Sequence, residues 1–151
     1  MLTLARIRDT DFIVEDVYRF ILNTPAETFE SCVLWKNNFV RYLRRLYDEN
    51  FIFVYHEGNE IKGLCGWFLT DDDNKDYINK IRWTLPEDIT SGDVLYVGFC
   101  ILTENCEMLK IKEKFKEIGI RDKIKEAIWF RKKWVRLGIN ENRILRVCSS
   151  N

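Results

Sequence analysis

Val54-Tyr55-His56-Glu57-Gly58-Asn59-Glu60-Ile61-Lys62-Gly63-Leu64-Cys65-Gly66-Trp67-Phe68-Leu69 reads as a strand, a tight turn and a returning strand. The residues before Glu57 are β-branched or aromatic, and Gly58-Asn59 stands where the chain must reverse. Gly63 and Gly66 interrupt the return. A glycine inside a strand marks a bulge or a close backbone approach. One hairpin cannot bury its own apolar faces, so the flanking chain must supply further strands and helices.

Upstream, Ile13, Val17, Phe20 and Ile21 recur at helical spacing behind the capping oxygens of Asp9 to Asp11. Thr24-Pro25-Ala26-Glu27 is a capping box with proline at the first helical position, and Phe29, Val33, Val40, Leu43 and Tyr47 carry that second helix to Asn50. Downstream, Asp71 to Asn74 cap a short helix around Tyr77 to Arg82, and Pro86 and Ser91-Gly92-Asp93 form loops. Val94 to Leu102 is a long apolar run, the pattern of a central strand buried on both faces. Met108 to Ile118 is a surface helix ended by Gly119, and strands follow at Ala127–Phe130 and Arg143–Val147. Strand, helix, strand implies one parallel pair in a mixed sheet. The expectation is a single α/β (mixed α+β) domain over 1–151, with five to seven mostly antiparallel strands and helices on both faces. Its expected core comprises Phe20, Val33, Leu43, Phe53, Leu64, Trp67, Val97, Phe99, Leu109, Phe115 and Ile128.

Composition narrows the function classes. Of 151 residues, 46% are apolar and 14% aromatic, which excludes a disordered chain. Acidic and basic residues balance at 24 each, which argues against bulk attraction to nucleic acid or an anionic membrane. Five cysteines, without any C-x-x-C pair, fit no zinc pattern and read as reduced thiols of a cytoplasmic protein. No apolar run reaches transmembrane length and no signal peptide opens the chain.

The order of elements resembles the Gcn5-related N-acetyltransferase fold. Three segments carry the likeness: the turn Glu57 to Gly63, the strand Leu95 to Leu102 before its loop and helix, and Trp134-Val135-Arg136-Leu137-Gly138-Ile139. Glu87-Asp88-Ile89-Thr90-Ser91-Gly92-Asp93 also resembles the toxin-activating lysine acyltransferases, which take a fatty acyl group from a carrier protein. Their N-terminal His and central-strand Asp have no counterpart here, Gly98 standing at the strand position. The family's Gln/Arg-x-x-Gly-x-Gly/Ala phosphate signature is replaced by Thr103-Glu104-Asn105-Cys106-Glu107, and Trp134 stands where many members place a tyrosine acid. The resemblance implies acetyl-CoA or another acyl-CoA as co-substrate, no metal, and an amine acceptor. That acceptor is a small molecule, a protein lysine or an N-terminus. It leaves open an inactive member of the fold that binds a protein or nucleic acid, and an acyl carrier protein as donor.

Acyl transfer needs a polarised carbonyl, aligned substrates and a base for the amine proton. Gly98, Phe99, Cys100 and Ile101 are the candidate strand for the donor, Gly98 fitting a bulge because its missing Cβ allows close approach, with Asn105 and Cys106 in the loop beyond it. Arg131 and Lys132, in a basic cluster with Lys125, Lys133 and Arg136, are the candidate phosphate anchor. Glu104 is a base candidate at the strand's end, Tyr96 a proton donor or relay, and His56 the sole imidazole. Each has a structural alternative. Gly98 can pack beneath an aromatic such as Trp67, and Cys100 can be a buried thiol. Tyr96 can be a core ring, Glu104 a solvated loop acid, and His56 a turn-flanking side chain. The basic residues Lys36, Arg41, Arg44 and Arg45 form a second positive face.

Overall fold

The computed structural model describes residues 1–24, 32–71, 83–103, 105–120, 123–130 and 144–148. Six strands form one sheet in the order of the sequence. They are β1 (Thr3–Arg6), β2 (Ile52–Glu57), β3 (Glu60–Thr70), β4 (Val94–Leu102), β5 (Glu126–Phe130) and β6 (Ile144–Cys148). All neighbours are antiparallel except β4 and β5. The parallel pair is joined through a helix, as parallel strands require.

Helices lie on both faces: α1 (Val14–Leu22) and α2 (Lys36–Asp48) on one, α3 (Met108–Glu117) on the other. Alternation along β3 sorts the aromatic residues. Trp67 points to the α3 face, where Phe53 and Phe115 meet its ring at 5.8 and 5.3 Å and Phe51 stacks on it at 4.0 Å. Phe68 points to the α2 face, stacked on Tyr96 at 5.3 Å and edge-on to Tyr42 at 6.5 Å. Each such side chain contributes about 1.5–3 kcal/mol by burial, so both layers are anchored from this one strand.

Two bulges set the geometry of the sheet. Tyr55 pairs with Gly63 and His56 with Ile61, so Lys62 is an extra residue on β3. Gly66 pairs with Phe99 and Trp67 with Val97, so Gly98 is an extra residue on β4. A bulge re-phases the strand beyond it. Phe99 thereby turns onto the α2 face, its ring lying where a Cβ on Gly66 would stand, 2.3 Å away.

Several expectations are corrected. β1 was not anticipated; it is four residues long and exists through its register with β2. The first helix has no aspartate N-cap: Ile13 holds that position, and Asp16 Oδ2 accepts from the Ile13 amide at 2.9 Å. Within the second expected helix, Trp35 leaves helical geometry (φ −111°, ψ 41°) and α2 begins after it. Residues 25–31, with the expected capping box, and the short helix around Tyr77 to Arg82 lie outside the described residues. Val33 and Leu109, expected in the core, are 52% and 67% exposed, and Phe20 is half-buried. The other expected core residues are buried.

Candidate functional site

Two things coincide in the middle of β4. The β4–β5 ladder runs from Val94↔Glu126 to Val97↔Trp129 and goes no further. Phe130 continues on β5 but pairs only with Ile144 of β6. The next β4 residue is the bulged Gly98. Among the described residues, Phe99 to Leu102 therefore have ladder partners on the β3 side alone, and Gly98 has none on either side. A strand that loses one neighbour halfway turns a row of backbone groups toward whatever fills the opening.

The aromatic over Gly98 is Tyr42 of α2, not Trp67, which faces the other side. A Cβ on Gly98 would stand 1.9 Å from the Tyr42 hydroxyl oxygen. Tyr42 is 2% exposed, and its hydroxyl has no hydrogen-bond partner among the described residues. Burial pushes its phenol far up, so it stays protonated. Phe39 and Trp83 fix the ring from two sides, at 6.4 and 5.1 Å.

The loop after β4 is tied to β3. The Lys62 bulge turns its carbonyl outward, where it accepts from the Thr103 amide at 3.2 Å and from the Thr103 hydroxyl. The Cys106 amide donates to the Thr103 carbonyl at 3.2 Å. Tyr55 closes the far side: its hydroxyl donates to the Glu107 carbonyl at 2.6 Å and accepts from the Glu107 amide at 3.2 Å. Burial raises the Tyr55 phenol against the lowering effect of its Glu107 hydrogen bond. Three of the loop's amides are thus engaged within the protein. The first turn of α3 carries no side-chain cap, leaving its Met108, Leu109 and Lys110 amides as the anion-facing end.

A cavity of about 860 Å³ opens beside this loop, between α1 and the β2–β3 turn. Phe12, Phe20 and Ile61 supply apolar wall, and Asp16, Arg19, Glu57, Glu60, Lys62, Thr103 and Asn105 supply polar wall. Arg19 pairs with Asp16 at 3.3 Å and Lys62 with Glu60 at 3.1 Å. The N-terminal amino group stands 3.4 Å from Glu57.

The residues singled out from the sequence fall into separate places. Gly98, Phe99, Cys100 and Ile101 lie on the half of β4 without β5 pairing, but the Phe99 ring is buried in the core. Cys100 is 8% exposed and faces Cys65 across the ladder, a buried thiol and not a nucleophile at a surface. Tyr96 is 1% exposed and stacked on Phe68, so its place is the core and not a proton-relay position at the cleft mouth. Asn105 has φ +74° and lines the cavity. Cys106 is half-buried; burial pushes its thiol up, and its sulfur lies 3.1 Å from where a Gly63 Cβ would be. His56 places Nδ1 3.1 Å from the Gly58 carbonyl and its ring edge-on to Phe12 at 5.6 Å, the turn-flanking arrangement. Glu104, Arg131 and Lys132 lie outside the described residues, as do Trp134 and the rest of its segment.

The expected positive face on α2 is largely engaged. Arg45 donates to the Pro86 and Glu87 carbonyls at 2.9 and 2.7 Å, Arg44 sits 3.8 Å from Glu15, and Lys36 lies over the Tyr18 ring. Of the second cluster, Lys125 is described and pairs with Asp93 at 3.3 Å. Asp88 organises the segment that resembled the lysine acyltransferases. It accepts from Ser91, the Thr90 amide and the Thr90 hydroxyl, which hold its carboxyl down at about 2. That segment docks on the end of β3, where the Leu69 amide donates to the Ile89 carbonyl at 2.9 Å.

Sequence reading missed Tyr42 and the cavity wall of Asp16, Arg19 and Lys62. Tyr42 was outside the apolar stripe read for its helix (Phe29, Val33, Val40, Leu43 and Tyr47), whose buried residues are Phe39, Tyr42, Leu43 and Leu46, and only the position of Gly98 distinguishes it. Among the described residues, no cluster of His, Cys, Asp and Glu could hold a metal ion, and no helix is long and apolar enough to cross a membrane. Compared with known proteins, the chain matches no family model and no curated protein.

Proposed function

We propose that this chain is an acyl-CoA-dependent N-acyltransferase of the Gcn5-related type. The end of the β4–β5 ladder at Val97, immediately before the Gly98 bulge, carries the reading. A thioester tail laid into that opening would find the backbone of Gly98 to Leu102 on one side and the first turn of α3 beyond it. An extended chain hydrogen-bonding to a strand edge is an ordinary recognition mode. The cavity bounded by α1 and the β2–β3 turn would take the acceptor, with Glu57 attracting its amine.

In the reaction, the neutral amine nitrogen attacks the thioester carbonyl carbon. Donors at the bulge stabilise the negative charge that forms on the carbonyl oxygen. A carboxylate at the cavity mouth takes the amine proton. The C–S bond breaks, and the sulfur leaves as thiolate. Glu104 is the candidate for that role, since Glu57 lies five ladder steps, about 16 Å, along the sheet from the bulge. A cytoplasmic setting suits Cys32, Cys65, Cys100 and Cys106, none of which forms a disulfide among the described residues.

A second reading is favoured by one observation. The Thr103, Cys106 and Glu107 amides, in the loop that the family uses for pyrophosphate, already have internal partners. An inactive member of the fold, binding a protein or nucleic acid, would keep such a loop closed. Titration calorimetry with acetyl-CoA and with longer acyl-CoAs separates the two. Saturable heat supports acyl transfer, and no heat with any of them at millimolar ligand overturns it.

A further inference from the structure

We propose that the cavity between α1 and the β2–β3 turn is a carbohydrate site, and that the acceptor it holds is a short oligosaccharide of amino sugars. The acceptor role rests on the acyl-transfer reading. The carbohydrate site does not, and binding measured without an acyl donor keeps the two apart.

Room comes first. At about 860 Å³ the cavity lies in the range that encloses a drug-sized ligand, and a single hexose would leave much of it empty. Reach comes second. Glu57, at the turn end of the cavity, lies about 16 Å along the sheet from the Gly98 bulge. An acceptor seated against Glu57 and acylated at the bulge must therefore be extended. A small monoamine cannot do both.

The walls then choose among extended ligands. An anionic chain is disfavoured, because Arg19 and Lys62, the cations of the wall, are already held by Asp16 and Glu60. A phosphate would compete with a carboxylate for each. An aliphatic chain is disfavoured because Asn23, Asn59 and Asn105 stand among the apolar residues, and covering a carboxamide with hydrocarbon costs its hydrogen bonds. A peptide finds no free ladder edge, since β2 and β3 each lie between two strands.

A pyranose matches these walls. The rings of Phe12 and Phe20 are half-buried and packed on the core behind them, and His56 meets Phe12 edge-on at 5.6 Å. An aromatic face is electron-rich, so it receives the C–H face of a sugar. The three asparagines come from the end of α1, the β2–β3 turn and the loop after β4, and among the described residues their carboxamides have no hydrogen-bond partner. A carboxamide both donates and accepts, as a sugar hydroxyl does. The amines of successive units serve two ends. One pairs with Glu57 as an ammonium, and another presents a neutral nitrogen at the bulge. There its lone pair forms the C–N bond as the C–S bond breaks, the sulfur leaving as thiolate and the amine proton going to the carboxylate base.

The test is titration calorimetry on the full chain, without acyl donor, using a glucosamine dimer and tetramer. The comparison ligands are the glucose tetramer, hexylamine and a lysine-containing peptide. The glucosamine tetramer is expected to bind saturably, more tightly than the dimer and about fivefold more tightly than the glucose tetramer. Asn105 has φ +74°, so Asn105→Gly removes the carboxamide and keeps the backbone. Phe20→Leu removes a ring and keeps apolar bulk. Each should weaken the glucosamine tetramer about fivefold, and Asn105→Gly should melt within about 3 °C of the parent. No saturable heat with either oligomer, or hexylamine or the peptide binding as tightly as the tetramer, overturns the carbohydrate site. Tetramer affinity unchanged in both variants puts the sugar elsewhere and overturns it as well. Equal affinity for the glucose tetramer overturns the role of the amine. A chain that binds the oligomer but no acyl-CoA keeps the carbohydrate site and overturns the acceptor role. A chain that binds acyl-CoA but no oligomer keeps acyl transfer and overturns the sugar.

Discussion

Gly98→Ala tests the contact on which the site is built. The added Cβ would lie 1.9 Å from the Tyr42 hydroxyl oxygen, while ordinary contact begins near 3.4 Å, so the two must part by about 1.5 Å. The phenol oxygen lies on the ring axis, so rotating the ring does not move it. Relief requires α2 to shift, with Phe39, Phe68 and Trp83 packed around the ring, or β4 to leave its register with β3. Overpacking of this kind costs about 1–3 kcal/mol, and the rigid surroundings argue for about 3. For a chain of this length that corresponds to a melting temperature lower by roughly 6–12 °C. Tyr42→Phe in the same chain removes the oxygen and leaves Cζ at 3.1 Å, a distance that a few tenths of an ångström of movement relieves. The double variant should therefore recover about 2 kcal/mol of the loss, a large non-additivity. Gly58→Ala is the control: nothing lies within 4 Å of its Cβ, and φ +58° alone costs about 1–2 kcal/mol. Tyr42→Phe should not relieve that cost. Urea unfolding of the five variants (the three single changes and the two doubles with Tyr42→Phe) and the parent reads these quantities. If Gly98→Ala and Tyr42→Phe prove additive within about 0.5 kcal/mol, the collision is absent and the arrangement at the bulge is wrong.

Three further outcomes are expected. Tyr55→Phe removes both hydrogen bonds to Glu107 and leaves its amide unpaired; it should cost about 1–3 kcal/mol by urea unfolding, and no loss would show that water replaces the hydroxyl. Asp88 has a carboxyl held below its ordinary 3.8, at about 2, by Ser91 first and Thr90 second. Because the folded value is the lower one, its stabilisation is complete above about pH 4 and lost as pH falls through about 2. Carbon-detected NMR should place its midpoint near 2, Asp88→Asn should flatten the unfolding profile across that window, and a midpoint near 4 would refute the turn's geometry. Cys106 is half-buried with its thiol raised by burial, so iodoacetamide at neutral pH should modify it more slowly than free cysteine but faster than buried Cys32, Cys65 and Cys100. Peptide mapping gives the order, and labelling at the free-thiol rate would contradict the loop's packing.

The hairpin, β4, α3 and the last two strands were legible because their signals are local. β-branched and aromatic runs, Gly58-Asn59 at the reversal and Gly119 at the helix end (φ +78° in the structure) act within a few residues. β1 was not legible, because Thr3-Leu4-Ala5-Arg6 has no pattern of its own and is a strand only while β2 lies beside it. Leu109 and Val33 sat on apolar stripes, but which residue of a stripe meets the sheet depends on how the helix is rotated against it, and both face outward. Tyr96 and Cys100 carried reactive groups that pointed to chemistry, and their burial turns both into packing.

Sequence by itself determined that strands and helices alternate to leave one parallel pair, and that β4 carries a glycine at its centre, since periodicity and backbone freedom belong to each residue and its near neighbours. Only the tertiary structure decided that β5 stops pairing beside the bulge at this glycine, and that a tyrosine 56 positions earlier sets its hydroxyl there. Those depend on register between strands and on the placement of a helix across the sheet. Both are fixed by the packing of side chains distant in the chain.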